Sequence, residues 1–282
     1  MEQFITGYII MKKVKALIVT GFGINCEVEL QAAFQLVGAT ADIVHLNDVF
    51  LGSVKLENYD ILGFPGGFSF GDDLGSGKVL ANKMKYRKMA DGNLFYDELK
   101  QFIDAGKFII GICNGFQFLV KMGLLPNINH NFDQEVTLTN NDSFQYEDRW
   151  VHCKVNPESH SPFLQGIDII SLPVRHGEGK LIIKDAEIEK SILDNGLNCL
   201  AYCDESGNIT SEYPQNPNGS ALNCAALTDK TGQVFGMMPH PEAFLSFYNH
   251  PDWARMKLEN PEHSESGEGL KIFENIVKFI RK

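Results

Sequence analysis

The chain has 282 residues, 44% of them hydrophobic and 22% charged, ordinary proportions for a soluble globular protein with room for a sizeable core. Its formal net charge of −11 argues against nucleic acid and against membrane surfaces, whose phosphates it would repel, and no window is apolar and long enough to span a bilayer. Six cysteines without a Cys-x-x-Cys spacing or a secretory context predict neither disulfides nor a zinc set, and the eight histidines are scattered, so no metal is expected and the expected location is cytoplasmic.

Residues 1–12 lack a basic leader followed by a long apolar run and read as an extension ahead of a domain over 13–282. Val14 to Thr20 is a candidate strand, Cys26 to Val37 a helix with Leu30, Ala33 and Leu36 on one face, and Ala41 to Leu46 a second strand, which together make a β-α-β start. Gly21-Phe-Gly23-Ile-Asn-Cys26 matches only part of a dinucleotide fingerprint, because Cys26 stands where the third glycine belongs. The third strand, Ile61 to Phe64, ends in Pro65-Gly66-Gly67-Phe68, with further glycines at 71, 75 and 77. Backbone must approach something there. A phosphate loop is excluded, since Gly77-Lys78 is followed by Val79 and the carboxylates of Asp72 and Asp73 would repel phosphate. Those two are better read as turn or partner contacts. An anion-stabilising turn fits better, with the N–H of Gly67 or Phe68 and that of Asn114 converging on a carbonyl oxygen that becomes negative during attack.

A helix from Phe95 to Ile103 precedes the fourth strand, Phe108 to Ile112. Phe116, Leu119, Val120 and Leu124 then recur at helical spacing, so the period changes at Cys113. Gly111 and Gly115 flank the turn, where a side chain would obstruct a tight elbow, and the first N–H groups of the helix point back at the sulfur and favour a thiolate. A buried free cysteine often only fills a core. A nucleophile also needs a base, an orienting group and an oxyanion site.

Beyond residue 125 the texture becomes short strands: Trp150 to Val155, Ile169 to Val174, Lys180 to Ile183, Cys199 to Cys203 and Ala221 to Leu227. They read as added antiparallel structure, while Asn127 to Asp148, rich in Asn, Asp and Gln, receives no chemical role. In His176-Gly-Glu178-Gly179 the glycines point to a tight turn with a binding or interface role rather than to a base. Asp229-Lys-Thr-Gly232 is a hairpin turn into Gln233 to Met238. Pro239 and Pro241 then fix the backbone around His240 and Glu242, whose side chains, two apart in an extended segment, fall on one side. That pair supplies a base and the carboxylate that orients it. A final helix, Ile272 to Ile280, carries Ile272, Ile276 and Phe279 on one face. The alternation in the first half implies an α/β fold, a mostly parallel central sheet flanked by helices, with reactive groups at the carboxyl ends of its strands.

A cysteine elbow with a Pro-Gly-Gly turn before it and Pro-His-Pro-Glu after it resembles the class I glutamine amidotransferases, a flavodoxin-like family. More narrowly, Gly23-Ile-Asn-Cys-Glu27, Gly66-Gly-Phe-Ser-Phe-Gly-Asp72, Arg175-His-Gly-Glu-Gly179, Tyr213-Pro-Gln-Asn-Pro-Asn-Gly-Ser220 and Met237-Met-Pro-His-Pro-Glu242 resemble segments of the glutaminases of phosphoribosylformylglycinamidine synthase, over essentially residues 14 to 282. The resemblance implies Cys113 as nucleophile, His240 as general base and Glu242 as its partner, Gly67 and Asn114 as oxyanion donors, and Gln117 near bound L-glutamine. It also implies a large synthetase subunit as partner, carrying ATP and Mg, with room for a small third subunit and no cofactor in this chain. Ala243 departs from the arginine usual in that family. The rival readings are an amidase or glutaminase of another pathway and a non-catalytic assembly subunit, against which the intact Cys113, His240 and Glu242 weigh.

Overall fold

The computed structural model describes residues 12–282. The extension read over 1–12 therefore lies, apart from Lys12, outside the described residues; Lys12 pairs with Asp60 at 2.9 Å. The strands are β1 Lys15–Thr20, β2 Thr40–His45, β3 Ile61–Phe64, β4 Phe108–Ile112, β5 Val136–Thr139, β6 Glu147–Val155, β7 Ile169–His176, β8 Lys180–Ile183, β9 Asn198–Cys203, β10 Cys224–Thr228 and β11 Val234–Met237. Nine of them form one sheet in the order β2-β1-β3-β4-β11-β10-β9-β6-β7, while β5 and β8 pair separately. From β2 to β11 the neighbours are parallel, and from β11 to β7 they are antiparallel. The helices are α1 Glu27–Leu36, α2 Leu46–Phe50, α3 Lys78–Tyr86, α4 Phe95–Asp104, α5 Asn114–Lys121, α6 Ala186–Asp194, α7 Trp253–Glu259 and α8 Leu270–Arg281.

The apolar runs explain the layering. Every residue of β3 and β4 is buried, as expected of parallel strands covered on both faces. Helices α1 and α8 pack together, with the Phe34 and Phe273 rings edge to face at 5.1 Å, and α3 packs against both α4 and α5. Two expected faces hold at two of their three positions. In α1 the buried set is Leu30, Ala33 and Phe34, and Leu36 is 64% exposed; in α8 it includes Phe273 and Val277, and Phe279 is 45% exposed. Leu30 and Ala33 in α1 and Ile272 and Ile276 in α8 are buried as expected, and Phe34 and Phe273 complete the two stripes by packing on each other. The segment read without assignment holds β5, whose alternating burial covers α5. Helices α3 and α6, of nine residues each, are absent from the sequence reading.

Candidate active site

Strands β3, β4 and β11 lie side by side and parallel, with Phe64 opposite Gly111 and Ile112 opposite Met237. The segments leaving their carboxyl ends are Pro65–Phe68, Cys113 and Pro239–Glu242, so adjacency in the sheet brings together pieces far apart in the chain.

Cys113 has φ 52° and ψ −105°, neither strand nor helix. It bridges the two through its own backbone: its N–H donates to the Met237 carbonyl at 2.8 Å, and its carbonyl accepts from the Gln117 N–H at 3.0 Å. Strain of this kind persists where the surroundings over-determine it. A Cβ on Gly115 would collide with the Phe64 carbonyl, and one on Gly111 would lie 2.5 Å from the Leu119 side chain, so both glycines let α5 sit directly on the strands. The thiol is 6% exposed, with Sγ 3.5 Å from the Arg175 carbonyl.

His240 and Glu242, each 3% exposed, are joined by Nδ1 to Oε1 at 2.7 Å, and the His240 N–H donates to the Pro173 carbonyl at 2.8 Å. Among the described residues the remaining ring nitrogen, Nε2, has no hydrogen-bond partner. Burial alone would depress the His240 pKa. The Glu242 carboxylate, then the Cys113 thiol, and then the Cys26 thiol oppose it, and together they hold the imidazole well above the ordinary histidine value. The Ala243 N–H closes the turn on the His240 carbonyl at 3.2 Å, so the loop forms without the arginine usual at that place.

Of the two donors expected from the Gly-Gly turn, Phe68 is not available: its N–H is taken by the Gly23 carbonyl at 2.9 Å. The N–H of Gly67 meets no protein acceptor among the described residues, and that of Asn114, at the first position of α5, has no intrahelical acceptor. Gly67 sits at φ +138°, and a Cβ there would come within 2.7 Å of the Asn25 nitrogen and the Gly23 oxygen. The Asn114 side chain accepts from the Ser69 N–H at 3.2 Å and donates to Gln117 Oε1 at 2.9 Å, and Gln117 Nε2 donates to the Glu178 carbonyl at 2.5 Å. Helix α5 is thereby tied to the loops on either side.

The same network places the His176-to-Gly179 turn at the site. Glu178 accepts from the Ser76 N–H at 3.0 Å, and burial, with Glu178 close by, raises the Asp72 pKa. His176 is 2% exposed, its Nδ1 lies 3.1 Å from Asn141 Oδ1, and burial together with the nearby His240 pushes its pKa down to about 3. It is a neutral, structural imidazole rather than a second base, as the flanking glycines suggested. Above these groups lies a cavity of about 560 Å³ lined by Cys26, Cys113, Gln117, Arg175, Glu178 and His240. The sequence reading gave no site role to Cys26: its sulfur, a ring nitrogen of His240 and a Glu242 oxygen lie within 4.8 Å of one another. Only the Asn-Cys-Glu segment marked its neighbourhood. The arrangement is suited to nucleophilic attack on a carbonyl carbon, with a base close to the sulfur and two N–H groups, of Gly67 and Asn114, left without backbone acceptors on the adjoining segments.

Comparison with known proteins identifies the family. The model of the CobB/CobQ-like glutamine amidotransferase domain matches residues 13–280. Phosphoribosylformylglycinamidine synthase subunit PurQ of Dehalococcoides mccartyi is 42% identical over 273 residues, covering 96% of this chain and 100% of that protein. The subunit of the same name from Methanococcus maripaludis is 42% identical over 278 residues, covering 95% and 98%. Among solved structures, a chain of PurLQS from Thermotoga maritima superposes with a TM-score of 0.68 at 27% identity, covering 95% of this chain and all of that one.

Proposed function

Because the chain belongs to the CobB/CobQ-like glutamine amidotransferase family, we propose that it is the glutaminase subunit of phosphoribosylformylglycinamidine synthase, supplying ammonia for purine biosynthesis. The observation that carries the chemistry is the meeting of Cys113, His240 and Glu242 under one cavity, at the carboxyl edge of adjacent parallel strands.

The Cys113 thiol gives its proton to His240, and its sulfur attacks the side-chain amide carbon of L-glutamine. A C–S bond forms, and the carbonyl oxygen takes up negative charge facing the Gly67 and Asn114 N–H groups, each such donor typically worth about 3 kcal/mol in the transition state. His240, held by Glu242, protonates the amide nitrogen through Nε2, the C–N bond breaks, and ammonia leaves. Water, deprotonated by His240, then cleaves the thioester to glutamate and free thiol. Gln117 and the adjoining turn at Glu178 border the space for the amino-acid end of the substrate.

Ammonia is mostly protonated and non-nucleophilic at neutral pH, so it needs a protected path to its acceptor. The partner is a large synthetase subunit that holds ATP, Mg and formylglycinamide ribonucleotide, with a small third subunit in the assembly; this chain itself uses no cofactor. PurLQS, the name of the similar Thermotoga assembly, supports such a complex.

Glutamate release from glutamine by the purified chain, alone and with synthetase, ribonucleotide and ATP, tests the reading. Stimulation by the loaded partner is expected. Cys113→Ala should abolish glutamine-dependent product while product formation from added ammonium persists; a variant that still hydrolyses glutamine refutes the mechanism. Silence of the wild-type chain in every mixture would favour a non-catalytic subunit.

A further inference from the structure

Cys26 is the second thiol of the cavity, and the glutaminase reaction has no use for it. It precedes α1, is partly exposed, and donates only a long hydrogen bond, 3.3 Å, to Asn25 Oδ1. The Cys26, Cys113 and His240 side chains all approach Gly66. A Cβ on that glycine would lie 2.8 Å from His240 Cε1, 3.3 Å from Cys26 Sγ and 3.6 Å from Cys113 Cβ, so the missing side chain leaves one small space that all three border. The ring that borders this space carries a buried nitrogen without a hydrogen-bond partner, His240 Nε2.

We propose that Cys26, Cys113 and His240 Nε2 form an inhibitory site for a thiophilic divalent cation, Zn²⁺ foremost. Two sulfurs and an imidazole are the donor set such a cation prefers. Glu242 already stands where the outer partner of a metal-bound histidine belongs, accepting from Nδ1 and turning the Nε2 lone pair toward the thiols. Donors on one zinc ion lie roughly 3.5 Å apart, given metal–ligand bonds of about 2.0–2.3 Å. Cys26 Sγ is already within 4.8 Å of a His240 ring nitrogen, and its side chain, at the partly exposed end of the site, can close the difference. Binding converts both thiols to thiolates, displaces the proton from His240 Nε2, and releases these protons to water. A fourth position stays open toward the cavity, as in zinc sites that retain a water. Occupation takes the nucleophile and the free nitrogen of the base at once, so the cation excludes catalysis. The other cysteines are at most 1% exposed and do not compete.

Co²⁺ serves as the probe, because thiolate ligation produces a sulfur-to-cobalt charge-transfer band. The full-length chain should show a band of two-thiolate intensity that Zn²⁺ abolishes by displacement. Cys26→Ala and Cys113→Ala should each reduce it to about half, and His240→Gln should weaken cobalt binding at least tenfold, with circular dichroism reporting that each variant is folded. In the enzymatic assay, Cys26→Ala should raise the Zn²⁺ concentration for half-inhibition at least tenfold. Absence of the band in the wild type, or a band unchanged in Cys26→Ala, overturns the proposal. The spectrum does not depend on glutamine hydrolysis, so its failure and that of the glutaminase reading are separable.

Discussion

At the scale of single residues, the site depends on two histidines that burial treats oppositely. His240 is held above its ordinary pKa because a carboxylate 2.7 Å away outweighs desolvation. Replacing that carboxylate, Glu242→Gln, should lower the His240 pKa and loosen the ring; by analogy with triads that lose their acid, kcat should fall by about 10²–10⁴-fold. The pH dependence of Cys113 alkylation and of kcat checks this, and an unaltered profile would count against Glu242 as orienter. His176 has no such partner, and its pKa falls to about 3. Below about pH 6.5 the unfolded chain then binds a proton that the folded chain does not, so stability should fall as the solution is acidified toward pH 3, by up to about 1.4 kcal/mol per pH unit from this group. Urea midpoints between pH 5 and 7 should show this slope, and His176→Asn should flatten it.

At the scale of elements, glycines set how closely strand, elbow and helix meet. Gly115→Ala drives a methyl into the Phe64 carbonyl, so α5 must lift from β3; the expected cost is about 1–3 kcal/mol or more, read as a lower thermal midpoint. Gly66→Ala instead presses on the His240 ring, which is pinned by Glu242 and by the Pro173 carbonyl. Its main effect should be kinetic, a fall in kcat of about 10²-fold from displacement of the base, with a smaller stability change. Equal stability losses in the two variants would contradict this division.

For the whole molecule, the curious member is β7. It is the last strand in the sheet order, well removed from β4 and β11, yet its Pro173 carbonyl holds the His240 backbone and its Arg175 carbonyl meets the Cys113 sulfur. The antiparallel half therefore turns back over the parallel half and roofs the site. Phe68, Tyr146 and Phe144 stand 47%, 52% and 84% exposed around the cavity mouth. An aromatic rim of this kind suits the docking of the proposed synthetase. Phe144→Ser should reduce stimulation by the synthetase and leave the thermal midpoint of the free chain unchanged; full stimulation would place the contact elsewhere.

Local pattern alone located the parallel strands, the elbow at Cys113 and the His240–Glu242 pair, because each is written within a few consecutive residues: an apolar run, a change of period, two prolines around a histidine. Strands β3, β4 and β8 begin and end where the sequence places them. What local pattern could not settle was anything decided by residues distant in the chain. Whether Phe68 or Gly67 keeps a free N–H depends on Gly23, and the face of α1 depends on α8. The neutral state of His176 depends on how deeply β7 is covered, and the presence of Cys26 beside His240 depends on the loop after β1 reaching the end of β11. Sequence by itself determined the reactive groups and the strands that carry them, since backbone preference and apolar period act over a few residues. Tertiary structure alone decided which hydrogen-bonding groups remain open and which side chains share the cavity, because burial and adjacency are set by strand order across the whole sheet.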